Sequence, residues 1–171
     1  MATLILGYGA HAGDIWDSWG RPLPAPFFDQ RVDEINQYAT YTIGINDPRE
    51  RARIAQELGW DDEPWVHPNA FIGEWCTWGK GTHINYGASM VRTNIGHHTT
   101  ISPGVTICGT VEIGNRVLIG AGATICDRVA IGNDVTVGAG AVVLPETIIP
   151  DGETWIGVPA RVRGPKGIFE I

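Results

Sequence analysis

The sequence is poor in positive charge. It contains 12 Lys and Arg against 19 Asp and Glu, which gives a formal net charge of −7 at pH 7. Nucleic-acid phosphates are bound by basic surfaces, so this balance argues against a general nucleic-acid-binding protein. A local basic cluster near the end, Arg161, Arg163 and Lys166, still suits a phosphorylated small ligand. With 43% apolar and 18% charged residues, the composition predicts a globular fold.

Cysteines and long apolar runs are also scarce. The three cysteines, Cys76, Cys108 and Cys126, match no C-x-x-C or Cys/His metal spacing. An odd number without a pairing pattern is typical of a reducing compartment. No stretch approaches the roughly 18 apolar residues of a membrane span, and the first residues do not resemble a secretion signal. We therefore expect a cytoplasmic protein with no metal site and no membrane association.

Apolar residues recur at every sixth position along the later part of the chain. All members of this series are apolar, and all but the last are β-branched: Ile95, Ile101, Ile107, Ile113, Ile119, Ile125, Ile131, Val137, Val143, Ile149 and Trp155. An amphipathic helix would place apolar residues three and four apart, and a half-buried strand would alternate strictly. A period of six instead predicts a chain that turns a corner every six residues and buries one aliphatic side chain on each flat side.

Three flat sides of six residues would make a coil of 18 residues, which predicts three vertical columns of buried side chains. The columns are Ile95, Ile113, Ile131 and Ile149; Ile101, Ile119 and Val137; and Ile107, Ile125 and Val143. Strands stacked about 4.8 Å apart favour β-branched residues, and Gly, Asn and Asp at the corners permit the turns. An ordinary β-sandwich with frequent turns is the alternative.

The six-residue spacing of apolar residues extends toward the amino terminus with one exception. Val66, Ile72, Trp78, Ile84 and Met90 follow one another at intervals of six, but the step from Met90 to Ile95 is five. The sequence therefore predicts that one coil is a residue short, between Val91 and Asn94.

The first part of the chain reads as a small α/β module. Residues 3–6 predict a short buried strand that runs into a glycine-rich turn at residues 7–13, where backbone N–H groups can approach a phosphate. Residues 41–45 predict a second strand. Asp47, Pro48 and Glu50 predict the start of a helix as N-cap, first residue and capping-box partner, and Gly59 predicts its end. We place this Rossmann-like module at residues 1–62 and the repeat domain at residues 63–171.

Several motifs occur in an order that resembles the bacterial hexapeptide-repeat nucleotide-sugar acetyltransferases. This family includes UDP-4-amino-sugar N-acetyltransferases and sialic-acid O-acetyltransferases. The motifs are Gly7-Tyr8-Gly9-Ala10-His11, Phe28-Asp29, Ile43-Gly44-Ile45-Asn46, residues 67–73 (His-Pro-Asn-Ala-Phe-Ile-Gly), residues 101–114 and Gly157-Val158-Pro159-Ala160-Arg161. The likeness covers nearly the whole chain.

The resemblance implies a left-handed parallel β-helix after the Rossmann-like module, and a homotrimer with acetyl-CoA in the cleft between neighbouring helices. Carried over by motif, the acceptor-binding residues are Gly7, Gly9, His11, Asp29 and Asn46. The residues expected near the coenzyme are Gly109, which would offer a backbone N–H to the thioester, together with Ala121, Ala139, Pro159 and Arg161.

The chain departs from the family at the residues that carry the chemistry. The family's base is a histidine a few residues before an Ile-Gly pair, and a second histidine usually precedes Ile-Ser-Pro. Here the first region reads Met-Val-Arg-Thr-Asn over residues 90–94, and Thr100 precedes Ile101. The nearest candidate bases are His97 and His98, which could equally be surface residues at a solvated corner. Asn85 is a candidate to orient the acceptor, and Arg92 could hold an anionic group but cannot act as a base.

These residues lead to an acetyl-CoA-dependent N-acetyltransferase that acts on a nucleotide-linked sugar or a related nucleotide. An amine acceptor is favoured over a hydroxyl because a neutral amine is already nucleophilic and needs less help from a base. Two alternatives stay open. One is a non-catalytic hexapeptide-repeat protein that keeps its ligand grooves for scaffolding. The other is an acyltransferase with a different amine acceptor, on a nucleobase or a phosphorylated metabolite.

Overall fold

The computed structural model describes residues 3–6, 40–43, 46–59 and 62–163. At the amino-terminal end, strand β1 (Thr3–Leu6) pairs in parallel with strand β2 (Thr40–Ile43). The Rossmann-like module itself stays a prediction, because most of its residues lie outside the described ranges. The candidate acceptor residues Gly7, Gly9, His11 and Asp29 lie outside the described residues, so their roles stay predictions.

Helix α1 (Pro48–Leu58) begins and ends where the sequence predicts. The Asp47 side chain accepts hydrogen bonds from the backbone N–H groups of Arg49 (2.9 Å) and Glu50 (3.3 Å), which caps the helix. Gly59 ends it in a left-handed conformation, with φ of 63°. The capping-box role predicted for Glu50 is wrong, because its carboxylate accepts hydrogen bonds from Arg53 in the next turn instead.

The rest of the described chain is a parallel β-solenoid with three walls. The first wall contains β3 (Trp65–Val66), β6 (His83–Ile84), β9 (Thr100–Ile101), β12 (Leu118–Ile119), β15 (Thr136–Val137), β18 (Thr154–Ile156) and the antiparallel β19 (Arg161–Val162). The second wall contains β4 (Phe71–Ile72), β7 (Ser89–Met90), β10 (Thr106–Ile107), β13 (Thr124–Ile125) and β16 (Val142–Val143). The third wall contains β5 (Thr77–Trp78), β8 (Thr93–Ile95), β11 (Val111–Ile113), β14 (Ala130–Ile131) and β17 (Ile148–Ile149).

The three predicted columns of aliphatic side chains are confirmed. Ile113 lies in register between Ile95 and Ile131, and Ile131 pairs with Ile149. The columns through Ile119 and Ile125 are paired in the same way. Nearly every member is buried, so the inner aliphatic side chains form one continuous core along the solenoid. The β-sandwich alternative is wrong, because the sheets are parallel ladders of strands one coil apart.

Three vertical edges join the walls, and we name each by its residues. The glycine edge follows the first wall (85–87, 102–104, 120–122 and 138–140). The cysteine edge follows the second wall (73–75, 91–92, 108–110, 126–128 and 144–146). The histidine edge follows the third wall (79–81, 96–98, 114–116, 132–134 and 150–152). The last residue of each of these corners has a positive φ, between 47° and 75°, so the chain turns through the same left-handed backbone conformation each time.

The short coil is confirmed, and the structure locates the missing residue. Arg92 has the positive φ of a corner's last residue, and its neighbours in that column are Trp75 below and Thr110 above. The Val91 side chain lies over Gly73, the first residue of the corner below. The position between Val91 and Arg92 is therefore absent, and Arg92 does not take the place of the missing residue.

No helix among the described residues has both the length and the apolar character to cross a membrane.

Candidate active site

A ladder of side-chain to backbone hydrogen bonds runs along the histidine edge. The N–H of Asn133 donates to Oδ1 of Asp151 (2.7 Å), and the N–H of Asn115 donates to Oδ1 of Asn133 (2.9 Å). The N–H of His97 donates to Oδ1 of Asn115 (2.7 Å), and the N–H of Lys80 donates to Nδ1 of His97 (3.0 Å). His97 therefore takes the position that Asn and Asp occupy in the other rungs.

This position restricts the chemistry available to His97. Because Nδ1 accepts a hydrogen bond from a backbone N–H, the neutral ring carries its proton on Nε2. The ring also packs closely on Gly79, where a Cβ atom would lie 2.7 Å from Nδ1. His97 is exposed, but its one lone pair is already used in holding two coils together. The geometry therefore favours a structural role for this histidine.

His98 is oriented differently. Its backbone has a φ of 54°, its side chain is 19% exposed, and Nδ1 is buried 3.5 Å from Oδ2 of Asp62. Asp62 is fully buried, and its backbone oxygen accepts a hydrogen bond from the N–H of Gly81 (2.6 Å). A side chain at Gly81 would overlap both the imidazole and the carboxylate. The corner thus needs glycine at this position for His98 and Asp62 to meet.

Arg51 of helix α1 is completely buried beside this pair. Its Nε donates to the carbonyl of Gly81 (2.8 Å), and its Nη2 donates to the carbonyl of His98 (2.8 Å). Nε also lies 3.8 Å from Oδ2 of Asp62. Burial lowers the pKa of Arg51 to about 10, against the opposing effect of the carboxylates of Asp62 and Asp47. The guanidinium is still charged at neutral pH, so Arg51 and Asp62 form a buried ion pair under His98.

The same network reaches a residue predicted to bind the acceptor. Oγ1 of Thr100 donates to the carbonyl of Asn46 (3.0 Å), and it accepts from Nη2 of Arg51 (3.0 Å). Thr100 stands where the resemblance places the family's second histidine. The backbone carbonyl of His98 therefore accepts from Arg51 directly, and the backbone carbonyl of Asn46 is joined to the same guanidinium through Thr100.

The predicted residues on the glycine edge are separate from this cluster. Asn85 is buried, and its Nδ2 donates to the carbonyl of Ile101 (3.0 Å) in the next coil, so its amide nitrogen is held within the solenoid. Ala121 and Ala139 lie above it on the same edge, and both are exposed. Pro159 and Arg161 are also exposed, beyond the last turn of this edge.

The cysteine edge carries the other two predicted residues. The Arg92 guanidinium lies over the exposed ring of Trp75, 5.1 Å from its centroid. The Gly109 N–H donates to Oδ1 of Asp127 (2.9 Å), so this carboxylate occupies the donor that was expected to meet the thioester. Burial raises the pKa of the neighbouring Cys108 thiol, and the charges of Asp127 and Cys126 add to the effect. Cys108 is therefore a neutral thiol at physiological pH.

The candidate residues consequently stand on three different edges of one prism. His97 and His98 lie on the histidine edge, Asn85 on the glycine edge, and Arg92 with Gly109 on the cysteine edge. Among the described candidate residues, the backbones of His98 and Asn46 are linked within a single chain, through Arg51 and Thr100.

Sequence reasoning missed Arg51 and Asp62. Arg51 falls at the apolar positions of helix α1, four residues before the buried Ala55 and seven before Leu58. A cation in the buried stripe of an amphipathic helix indicates a buried acidic partner. That signal was available for Arg51, whereas nothing in the sequence around Asp62 identified it as the partner.

Comparison with known proteins gives a consistent result. Residues 92–127 and 110–145 match the model for the bacterial transferase hexapeptide (six repeats). PerB from Caulobacter crescentus, solved with CoA and GDP-perosamine, is 25% identical with a TM-score of 0.77, over 96% of this chain and 98% of that one. An Asn-for-His mutant of perosamine N-acetyltransferase from the same organism, with the same ligands, is 26% identical with a TM-score of 0.78, over the same shares. The resemblance to the hexapeptide-repeat nucleotide-sugar acetyltransferases is confirmed.

A more distant neighbour agrees in fold with the nucleotide-sugar acetyltransferases. The acetyltransferase domain of PglB from Neisseria gonorrhoeae FA1090, in complex with acetyl coenzyme A, is 20% identical with a TM-score of 0.71, over 94% of this chain and 98% of that domain. No curated protein matches the chain in a sequence search.

Proposed function

We propose that this chain is an acetyl-CoA-dependent N-acetyltransferase that acts on an amino group of a nucleotide-linked sugar or a related nucleotide. The observation that carries the proposal is the likeness to perosamine N-acetyltransferase, which spans 96% of this chain and was solved with CoA and GDP-perosamine bound. The likeness covers 98% of that protein as well, so it is not confined to the hexapeptide repeats.

The reaction requires little from the protein beyond positioning and proton removal. A neutral amine attacks the thioester carbonyl carbon, the C–S bond breaks, and coenzyme A leaves as the thiol after it receives a proton. Gly7, Gly9, His11, Asp29 and Asn46 would hold the acceptor. Arg92, stacked on Trp75, offers a cation with a fixed orientation to an anionic group of the same acceptor.

The solenoid is proposed to be left-handed and to work as a homotrimer. Support for the trimer comes from the placement of the candidate residues, because side chains on three edges of a prism cannot converge within one chain. In a closed threefold assembly, the histidine edge of one subunit can face another edge of its neighbour. The coenzyme would lie in that cleft, against Ala121, Ala139, Pro159 and Arg161, with Gly109 nearby once Asp127 releases its N–H.

A second candidate, a non-catalytic binding protein, is favoured by one observation. The position between Val91 and Arg92 is absent, in the region where the resemblance places the base. Such a protein would bind coenzyme A in the same groove without transferring the acyl group.

The deciding experiment measures thiol release from acetyl-CoA with a panel of amine acceptors. The panel contains GDP-perosamine, other nucleotide-linked amino sugars, nucleobase amines and phosphorylated amines, each with a matched compound that carries a hydroxyl in place of the amine. We expect thiol release that equals the amount of N-acetylated product, with one nucleotide-linked amino sugar far ahead. Coenzyme A binding without release would establish the binding protein instead. Faster turnover of a hydroxyl compound would contradict the choice of an amine.

A further inference from the structure

We propose that His98 is the proton acceptor of this enzyme and that Asp62, held by Arg51, is the residue that positions it. This inference rests on the proposed acyltransfer and names the residues that replace the missing base. In the proposed step, the proton lost from the attacking nitrogen passes to Nε2 of His98. It is then returned to the departing thiolate, so no oxidant, metal or further reactant is needed.

The partner of Nδ1 sets the tautomer of the His98 ring. A carboxylate can only accept hydrogen bonds, so a neutral His98 facing Asp62 places its proton on Nδ1 and its lone pair on Nε2. A base needs that lone pair pointing away from the support, toward the substrate. His97 shows the opposite arrangement, since its Nδ1 accepts from Lys80 and its Nε2 carries the proton. The two adjacent histidines are thus distinguished by their partners.

The distance between His98 and Asp62 is compatible with an active site that holds no substrate. Nδ1 of His98 and Oδ2 of Asp62 are 3.5 Å apart, which is ion-pair contact and longer than an N–H···O hydrogen bond of about 2.7–3.2 Å. Catalytic hydrogen bonds are often long without substrate and shorten in the reacting complex. The imidazole is buried on the Nδ1 side and 19% exposed in total, which leaves an accessible surface for a substrate.

Arg51 supplies the cation that a buried carboxylate needs, because burying an unpaired charge is costly. The guanidinium lies 3.8 Å from Asp62 and donates to the carbonyls of Gly81 and His98. It therefore pairs with Asp62 and fixes the backbone of the histidine at the same time. Its Nη2 also donates to Thr100, which in turn donates to the carbonyl of Asn46, so one hydrogen-bonded network links the backbones of His98 and Asn46.

Few charged side chains of the described residues lie near the His98 imidazole. Asp62 and Arg51 face it from the segment before β3 and from helix α1. On the next coil, the residue above it in the corner column is Arg116, whose guanidinium is engaged by both oxygens of the Asp134 carboxylate (2.8 and 2.7 Å). Asp62 is thus the one carboxylate among the described residues within salt-bridge distance of the imidazole.

The test begins with His98→Gly, measured with the acceptor identified from the amine panel. Glycine accepts the left-handed backbone at this corner and leaves a space for a free imidazole. We expect kcat to fall by about 10²–10³-fold, with added imidazole restoring a measurable part of it. His97→Asn is the matched control, because asparagine or aspartate takes the equivalent position in the other coils of this edge. We expect its kcat to stay within about threefold of wild type.

Asp62→Asn separates positioning from folding. The amide is no longer an obligate acceptor and can turn its N–H groups toward Nδ1, which would move the ring proton to Nε2 and remove the lone pair that a base needs. We therefore expect kcat to fall by at least about tenfold, with the KM for acetyl-CoA near that of wild type. A purely structural role for Asp62 would lower the urea midpoint and leave the kcat of the folded enzyme near that of wild type.

The outcomes distinguish this inference from the proposed function. Wild-type turnover that survives His98→Gly, or that collapses in His97→Asn, overturns the assignment of His98 and leaves the acyltransferase intact. A His98→Gly variant that loses activity and gains nothing from imidazole also overturns it. Absence of wild-type turnover with every amine overturns both.

Discussion

Replacing Arg51 by methionine is expected to lower the free energy of unfolding by about 3–5 kcal/mol. The guanidinium is fully buried and satisfies the carbonyls of Gly81 and His98 as well as the Thr100 hydroxyl. Methionine fills a similar volume but leaves these acceptors and the Asp62 carboxylate without their cation. Urea unfolding followed by circular dichroism, at a fixed protein concentration, measures the change.

Arg53→Ala on the same helix is the matched control. Arg53 is exposed and pairs with Glu50 and Glu57 along the helix surface, so its loss should barely move the unfolding midpoint. Equal midpoints for Arg51→Met and wild type would show that Arg51 is not structurally required. The double variant Arg51→Met, Asp62→Leu tests the cause, because it removes both charges and should recover part of the lost stability.

Gly120→Ala is expected to destabilise the solenoid by roughly 2–3 kcal/mol. An added Cβ atom would lie 2.5 Å from the backbone nitrogen of Ala139 and 2.8 Å from the carbonyl carbon of Gly138. These are main-chain atoms of the coil above, which cannot move aside without breaking the stacking of the first wall. The thermal unfolding midpoint and the urea midpoint should both fall.

Gly122→Ala, two residues further along the same edge, separates crowding from backbone conformation. Gly122 has a φ of 67°, and an added Cβ atom would meet nothing within 4 Å. Its substitution should cost about 1 kcal/mol, from the left-handed conformation alone. A larger loss for Gly122→Ala than for Gly120→Ala would mean that corner conformation, and not the spacing between coils, limits stability.

Most of the solenoid follows from the spacing of apolar residues. Ile113 and Ile131 are one coil apart in sequence and directly paired in the structure, because each coil places one aliphatic side chain on each wall. The short coil also shows in the sequence, since a single missing residue breaks the interval between Met90 and Ile95. The pattern does not fix which corner residue is lost, because that depends on which residue adopts the left-handed conformation. Here the structure assigns that conformation to Arg92.

The candidate site was less predictable, because its contacts join distant segments. The apolar spacing of the helix marks Arg51 as buried but does not identify its partner, so the pairing of Arg51 with Asp62 and of Asp62 with His98 could not be read from it. Adjacent histidines look equivalent in a sequence. They differ in the structure because a backbone N–H of the neighbouring coil donates to the His97 ring, whereas the buried carboxylate of Asp62 lies beside the His98 ring.

The missing corner residue is confined to a single turn of the chain. Met90 remains paired with Ile107, and Thr93 with Val111, so the strands on both sides of the gap keep their register. One codon can therefore be lost or regained at this point without rearranging the neighbouring coils. A residue inserted between Val91 and Arg92 would therefore restore a three-residue corner while the strands on both sides keep their pairing.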